Sequence, residues 1–132
     1  MNHEYYVSSE IAKLLEKAGF DWKCRKCYNK GVLFDMEPDE IRTQTPQHSS
    51  YDVLAPTLEV AQRWLREVKD IDVYIFPTTN NKRGCVYEWG IKTFGRALWV
   101  EGQPYTNQYE TYEEAQEAGI KKALELILKK GE

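Results

Sequence analysis

The chain has 132 residues, 42% apolar and 30% charged, with a formal net charge of −3, as expected of one soluble domain that can bury a core without staples. Mild acidity argues against a generic nucleic-acid binder, which needs a basic footprint to displace counterions. No apolar run approaches the roughly 20 residues that span a bilayer, the start from Met1 to Tyr6 lacks the basic and apolar regions of a secretory signal, and three cysteines suit reduced thiols, so a cytoplasmic protein is expected.

Ser8 and Ser9 open a first helix at about residues 9–18. A serine oxygen accepts from the orphan amides, and Glu10 suits the positive end of the dipole. Ile11, Leu14, Leu15 and Ala18 recur at helical spacing, and Gly19 ends the helix with Phe20 folding back on it. Cys27-Tyr28 and Val32-Leu33-Phe34 flank the turn-like Asn29-Lys30-Gly31, which predicts a short hairpin. Residues 35–50 are polar and aperiodic, with Pro38 and Pro46, and read as a surface loop. Tyr51 to Ala55 is predicted extended, because the residue before Pro56 is pushed out of helical space.

Thr57 caps a second helix carrying a stripe of Leu58, Ala61, Leu65 and Val68, widened by Val60 and Trp64. Ile71 to Phe76 then alternates, which marks a strand. Pro77 through Gly84 reads as a turn. A second strand is predicted at about Cys85 to Thr93, a third at about Arg96 to Val100, and a loop from Glu101 to Glu110. Thr111 to Glu114 forms a capping box for a final helix to about Lys129, lined by Ala115, Ala118, Ile120, Ala123, Leu124, Ile127 and Leu128. The predicted fold is α+β and a single domain, 1–132. An N-terminal helix, hairpin and loop (1–56) is appended to an α-β-β-β-α core (57–132) whose three-stranded antiparallel sheet packs on helices.

Strand parity puts Ile71, Val73 and Ile75 with Tyr87, Trp89, Ile91 and Trp99 on the face under the helices. The opposite face carries Asp72, Tyr74, Phe76, Val86, Glu88, Leu98 and Val100. It is half apolar and needs a cover, either the N-terminal helix and hairpin or a second subunit or partner.

No catalytic, cofactor or metal motif rises above this background. Cys24-Arg25-Lys26-Cys27 has metal-like spacing, but a structural zinc needs four ligands and no second closely spaced pair follows. His3 and His48 are the two histidines, so Ser/His/Asp or Cys/His catalysis would have to recruit one of them. Glu110, Glu113, Glu114 and Glu117 cluster at a helix start, where capping explains them. Gly84, Gly90, Gly95 and Gly102 are isolated rather than a phosphate loop. We expect no cofactor, no metal and no catalytic residue.

The helix-three strands-helix order resembles the double-stranded RNA-binding domain. That family grips phosphates with lysines at the start of its last helix, where Thr111 to Glu117 here offers glutamates. A more specific similarity rests on Ala55-Pro56-Thr57 leading to Trp64-Leu65-Arg66-Glu67-Val68, on Ile71-Asp72-Val73-Tyr74-Ile75, and on Tyr109-Glu110-Thr111-Tyr112-Glu113-Glu114-Ala115 with Ala123-Leu124-Glu125. Ile11-Ala12-Lys13-Leu14-Leu15 and Ala18-Gly19-Phe20-Asp21 fit as well. These stretches resemble a family of small uncharacterised proteins of phages and prophages of gut Bacteroidales. The match covers most of the chain apart from residues 35–50, with Gly119 departing from an expected alanine. The resemblance implies mobile-element origin and a cytoplasmic place in a bacterial host, and supplies no site residues.

The expected function is therefore a non-enzymatic phage or prophage accessory protein acting by protein binding, with a homodimer as one form. Aromatic side chains anchor interfaces, so Tyr74, Phe76 and Leu98, with Tyr105 and Tyr109 in the adjoining loop, are the candidate contact residues. A nucleic-acid module is one alternative. A small-ligand binder or enzyme using the loop at 35–56, with His48, Asp52 or Cys27 converging, is the other.

Overall fold

The protein is described by a computed structural model covering residues 5–35, 53–80, 82, 84–93, 98–101 and 108–130, with 80, 98–101 and 130 described by backbone alone. Helix α1 (Ser9–Lys17) starts where Ser8 accepts from the Ile11 amide at 3.2 Å. It ends in a Schellman turn. Gly19 sits at φ +96°, its amide donates to Glu16, and the Phe20 amide donates to the Leu15 carbonyl at 2.9 Å. Strands β1 (Lys26–Asn29) and β2 (Val32–Asp35) pair with Asn29 opposite Val32. Lys30 and Gly31 lie at φ +51° and +80°, the signature of a two-residue type I′ turn. Strand β3 (Val53–Leu54) joins the far edge of β1, giving a small sheet in the order β2-β1-β3.

Helix α2 (Leu58–Val68) starts at Thr57, whose hydroxyl accepts from the Val60 amide at 3.2 Å. The main chain of residues 5–7 is clipped onto that start: the Leu58 amide donates to Tyr5, the Val7 amide donates to Pro56, and the Tyr28 hydroxyl reaches the Val7 carbonyl at 2.7 Å. Strands β4 (Ile71–Asn80), β5 (Gly84–Thr93) and β6 (Leu98–Glu101) form the larger antiparallel sheet in chain order. Helix α3 (Tyr112–Lys130) follows Thr111, whose hydroxyl accepts from the Glu114 amide and donates to the Glu114 carboxylate at 2.9 Å. The fold is α+β, as the sequence predicts.

Three expectations change. First, most of the predicted turn from Pro77 to Gly84 is strand, because β4 runs on through Pro77 to Asn80 and pairs with β5 over ten residues. The hydrogen bonding explains how a proline fits. The Tyr87 amide and carbonyl, opposite Pro77, bond to Tyr109 on the other edge of β5, both at 2.8 Å. Tyr87 and Pro77 are therefore a non-hydrogen-bonded pair, and the donor that proline lacks would have pointed off the sheet's free edge.

Second, an irregularity between Ile91 and Lys92 shifts β6, so that Trp99 stands opposite Lys92 and Leu98 opposite Thr93. One inserted residue reverses strand parity. Trp99 thus takes the outer-face position and Leu98 the helix-side position, the reverse of the expected assignment. Third, α1 does not cover the outer face of the sheet. It packs on α3 and β3, deepening the helix layer.

The core is one cluster running from Val7, Ile11 and Leu15 through Leu54, Trp64 and Leu65 to Val73, Ile91, Ile120 and Leu124. Residues from both the first 56 and the last 76 positions are interleaved in it. On the helix side of the large sheet Ile71, Val73, Trp89 and Ile91 are buried, as parity predicts. Gly119 marks the closest approach: a Cβ there would lie 2.7 Å from Val73 Cγ1 and 3.0 Å from Trp89 Cβ. Gln116, itself buried, donates to Gln62 at 2.8 Å, and Gln62 donates to the Val73 carbonyl, so two side-chain amides tie α3 and α2 to the free edge of β4.

Candidate functional site

The outer face of the large sheet brings Tyr74, Phe76, Gly90 and Lys92 together. Tyr74 and Phe76 are two residues apart on β4, so they share a face, and their rings stack at 5.9 Å with a 28° interplanar angle. Gly90 is opposite Tyr74 in the ladder. The Tyr74 ring lies across it so closely that any Cβ at position 90 would clash with Tyr74 Cζ and its hydroxyl oxygen. This is the packing by which an aromatic shields a strand glycine from a neighbouring strand. The Lys92 ammonium sits 5.6 Å from the centre of the same ring. Burial, and then the charge of Asp72, push the Tyr74 hydroxyl above its ordinary pKa of 10.0, so it stays a neutral donor across the physiological range.

Along the same face Val86 and Glu88 are buried, at 1% and 4% exposure, while Tyr74 and Phe76 keep part of their surface in water and Lys92 is exposed. The result is a short aromatic strip with a cation at one end. Two of its members were not singled out from sequence. Gly90 read as an isolated strand glycine, and Lys92 carried no signal. The ten-residue register would have exposed both, since it sets a tyrosine opposite a glycine, but the proline inside β4 hid that register.

The other candidate contact residues separate from this strip. Tyr109 pairs with Tyr87 and packs against the core cluster on the helix side. Leu98 holds the helix-side position given above, and its side chain lies outside the described residues, as does Tyr105. His3, His48, Asp52 and the loop at 36–52 also lie outside the described residues, so the convergence expected around that loop is not among the features seen.

Cys24 and Cys27 are buried in the core, and Cys85 is exposed. Burial pushes the Cys24 thiol up to about 12, where it is protonated and inert as a nucleophile or ligand at neutral pH. No group of three or more His, Cys, Asp or Glu residues able to hold a metal occurs among the described residues.

Among the described residues, two hollows lie beside the N-terminal half. One, of about 190 Å³, lies beside Tyr6, Lys23, Arg25 and the start of α2. The amides that a helix start would offer to an anion are largely taken there, by Tyr5 and by the Thr57 hydroxyl. The other, of about 320 Å³, runs between α1 and α3 beside Glu10, Glu114 and Glu117 and is bridged by a Lys121–Glu10 ion pair at 2.8 Å. No described helix is long and apolar enough to cross a membrane. Compared with known proteins, the chain matches no family model, no curated protein and no solved structure.

Proposed function

We propose that this chain is a non-enzymatic accessory protein of phage or prophage origin, cytoplasmic in its bacterial host, that works by docking another protein. The observation that carries the reading is the Tyr74–Phe76 stack seated on Gly90. An aromatic pair already held in place loses little side-chain entropy on binding, which is the property of an anchor residue at an interface. Lys92 at its end favours a partner that brings a carboxylate to the rim. The similarity of the Trp64–Val68, Ile71–Ile75 and Tyr109–Ala115 stretches to small phage proteins supports the mobile-element origin.

The test uses tagged full-length protein in lysate of a Bacteroidales host, with Tyr74→Asp beside the parent and capture quantified by mass spectrometry. One partner or a few should be retained by the parent and lost with Tyr74→Asp while the far-UV circular dichroism is unchanged. Equal capture by both proteins would sink the reading. Tight, salt-dependent binding of duplex RNA by the purified protein would replace it with the nucleic-acid alternative.

A further inference from the structure

We propose that the protein pairs with a second copy of itself through the outer edge of β2, joining two small sheets into one six-stranded sheet across a two-fold axis. β2 lies in the small sheet, so this surface is independent of the Tyr74 strip.

The hairpin geometry determines what that edge offers. The Ala55 amide donates to the Lys26 carbonyl at 2.9 Å, so Lys26 turns its main chain towards β3 and away from its β2 partner, Asp35. Hydrogen bonding alternates along the ladder, and the type I′ turn makes Asn29 and Val32 a bonded pair. The amide and carbonyl of Leu33 therefore point outwards, as do those of Asp35, and among the described residues neither Leu33 group has a partner.

The side chains beside that edge are apolar. Val32 is 54% exposed and Phe34 51% exposed, the two most exposed large apolar residues described, and alternation places them on one face. The longest strand edge among the described residues, that of β4, is blunted. β4 carries Pro77 there, and Gln62 occupies the Val73 carbonyl. β2 has neither device.

A two-fold axis at Leu33 satisfies all of these features at once. Antiparallel pairing of β2 with its copy sets Leu33 opposite Leu33 of the second copy, an arrangement in which both unpartnered groups bond. Val32 then faces Phe34 of the second copy twice over, collecting the four exposed apolar side chains into one cluster. The same register puts Asp35, which is paired with Lys26 of its own chain at 2.7 Å but whose side chain is 76% exposed, opposite Gly31 of the second copy and beside its exposed Lys30. The charges are complementary and the surface is complementary to itself, which a two-fold interface requires.

Sedimentation equilibrium of the full chain over a concentration series tests this. The mass should rise from 15.5 kDa towards twice that value, and Phe34→Lys should weaken the association at least tenfold while leaving the thermal midpoint of the monomer unchanged. A register test stands beside it. In a Cys85→Ser background, Leu33→Cys lies on the axis and should form a disulfide-linked dimer on mild oxidation, whereas Val32→Cys, off the axis, should not. A chain that stays monomeric at millimolar concentration overturns the proposal. So does a dimer indifferent to Phe34→Lys, or one in which the two cysteine variants cross-link equally.

Discussion

Gly119 offers a test whose sign opposes intrinsic propensity. In an ordinary helix interior, alanine is better than glycine by about 1 kcal/mol, so Gly119→Ala in a helix free of the sheet would stabilise. Here the added methyl would sit 2.7 Å from Val73 Cγ1 and 3.0 Å from Trp89 Cβ, against about 3.5–4.0 Å for carbon atoms at rest. Neither neighbour is the free end of a flexible chain. Val73 is β-branched and fully buried, and the second atom is the root of a buried indole. To make room α3 must back off by roughly 1 Å, yet Ala115, Ile120, Ala123 and Leu124 hold it at zero exposure.

Overpacking of this kind costs about 1–3 kcal/mol. Taking the upper half of that range and subtracting the helix gain leaves a net destabilisation of about 1–2 kcal/mol. With an unfolding entropy of about 2.1 cal/mol/K per residue, the thermal midpoint should fall by about 4–7 °C. Val73→Ala removes the nearest methyl. The cost of Gly119→Ala should therefore shrink or reverse in that background, with a coupling of about 1–2 kcal/mol between the two sites. Differential scanning calorimetry of the four proteins in the cycle decides it. A Gly119→Ala protein more stable than the parent, or a cost unchanged by Val73→Ala, would refute a helix pressed onto the sheet at this point.

The amide relay and the thiols give two more expectations. Gln62→Leu strands the buried Gln116 amide and should cost about 1–3 kcal/mol in urea unfolding, whereas Gln116→Leu leaves Gln62 close enough to water to be hydrated and should cost less; the double variant should be more stable than Gln62→Leu alone. For the cysteines, a maleimide reagent should label Cys85 within minutes at neutral pH and spare Cys24 and Cys27 until the protein unfolds. The Cys24 thiol is raised from 9.0 to about 12 in the folded state, so its contribution to stability is complete below pH 9 and is lost as the pH climbs from 9 to 12. A Cys24→Ala protein should show a shallower alkaline decline over that window.

The parts of this fold that were legible in the sequence are those set by contacts within a few residues. Ser8, Thr57 and Thr111 each cap the helix they precede, Gly19 takes the left-handed turn, and Lys30-Gly31 closes the hairpin. The inner face of the large sheet was legible too, because alternation from Ile71 onwards needs no knowledge of the partner strand. What failed depended on the partner. Pro77 signals a turn unless it is known that its missing donor faces an open edge, and that is fixed by Tyr109, 32 positions away. The irregularity at Ile91 and Lys92 leaves no mark in composition, yet it reverses the parity of β6. The stripe of Ile11, Leu14, Leu15 and Ala18 predicts that α1 buries a face, but only the tertiary contacts say that α3 receives it. The candidate contact residues divided for the same reason: Tyr74 and Phe76 follow strand parity, while Tyr109 is placed by a bridge to Tyr87.

The position of α3 has a consequence for how the chain is made. This helix touches α1, α2, β4 and β5, and its Ile120 and Leu124 fill the space between them. It is also translated after every element it closes, about 100 residues behind α1. At synthesis rates of roughly 5–20 residues per second, Ile11, Leu15 and Leu65 wait several seconds on the ribosome without their cover. The β4–β5 hairpin, whose contacts are local, has time to zip in that interval. The nascent chain thus passes through a stage with its sheet formed and its helix layer open, and that stage is where a chaperone would meet it.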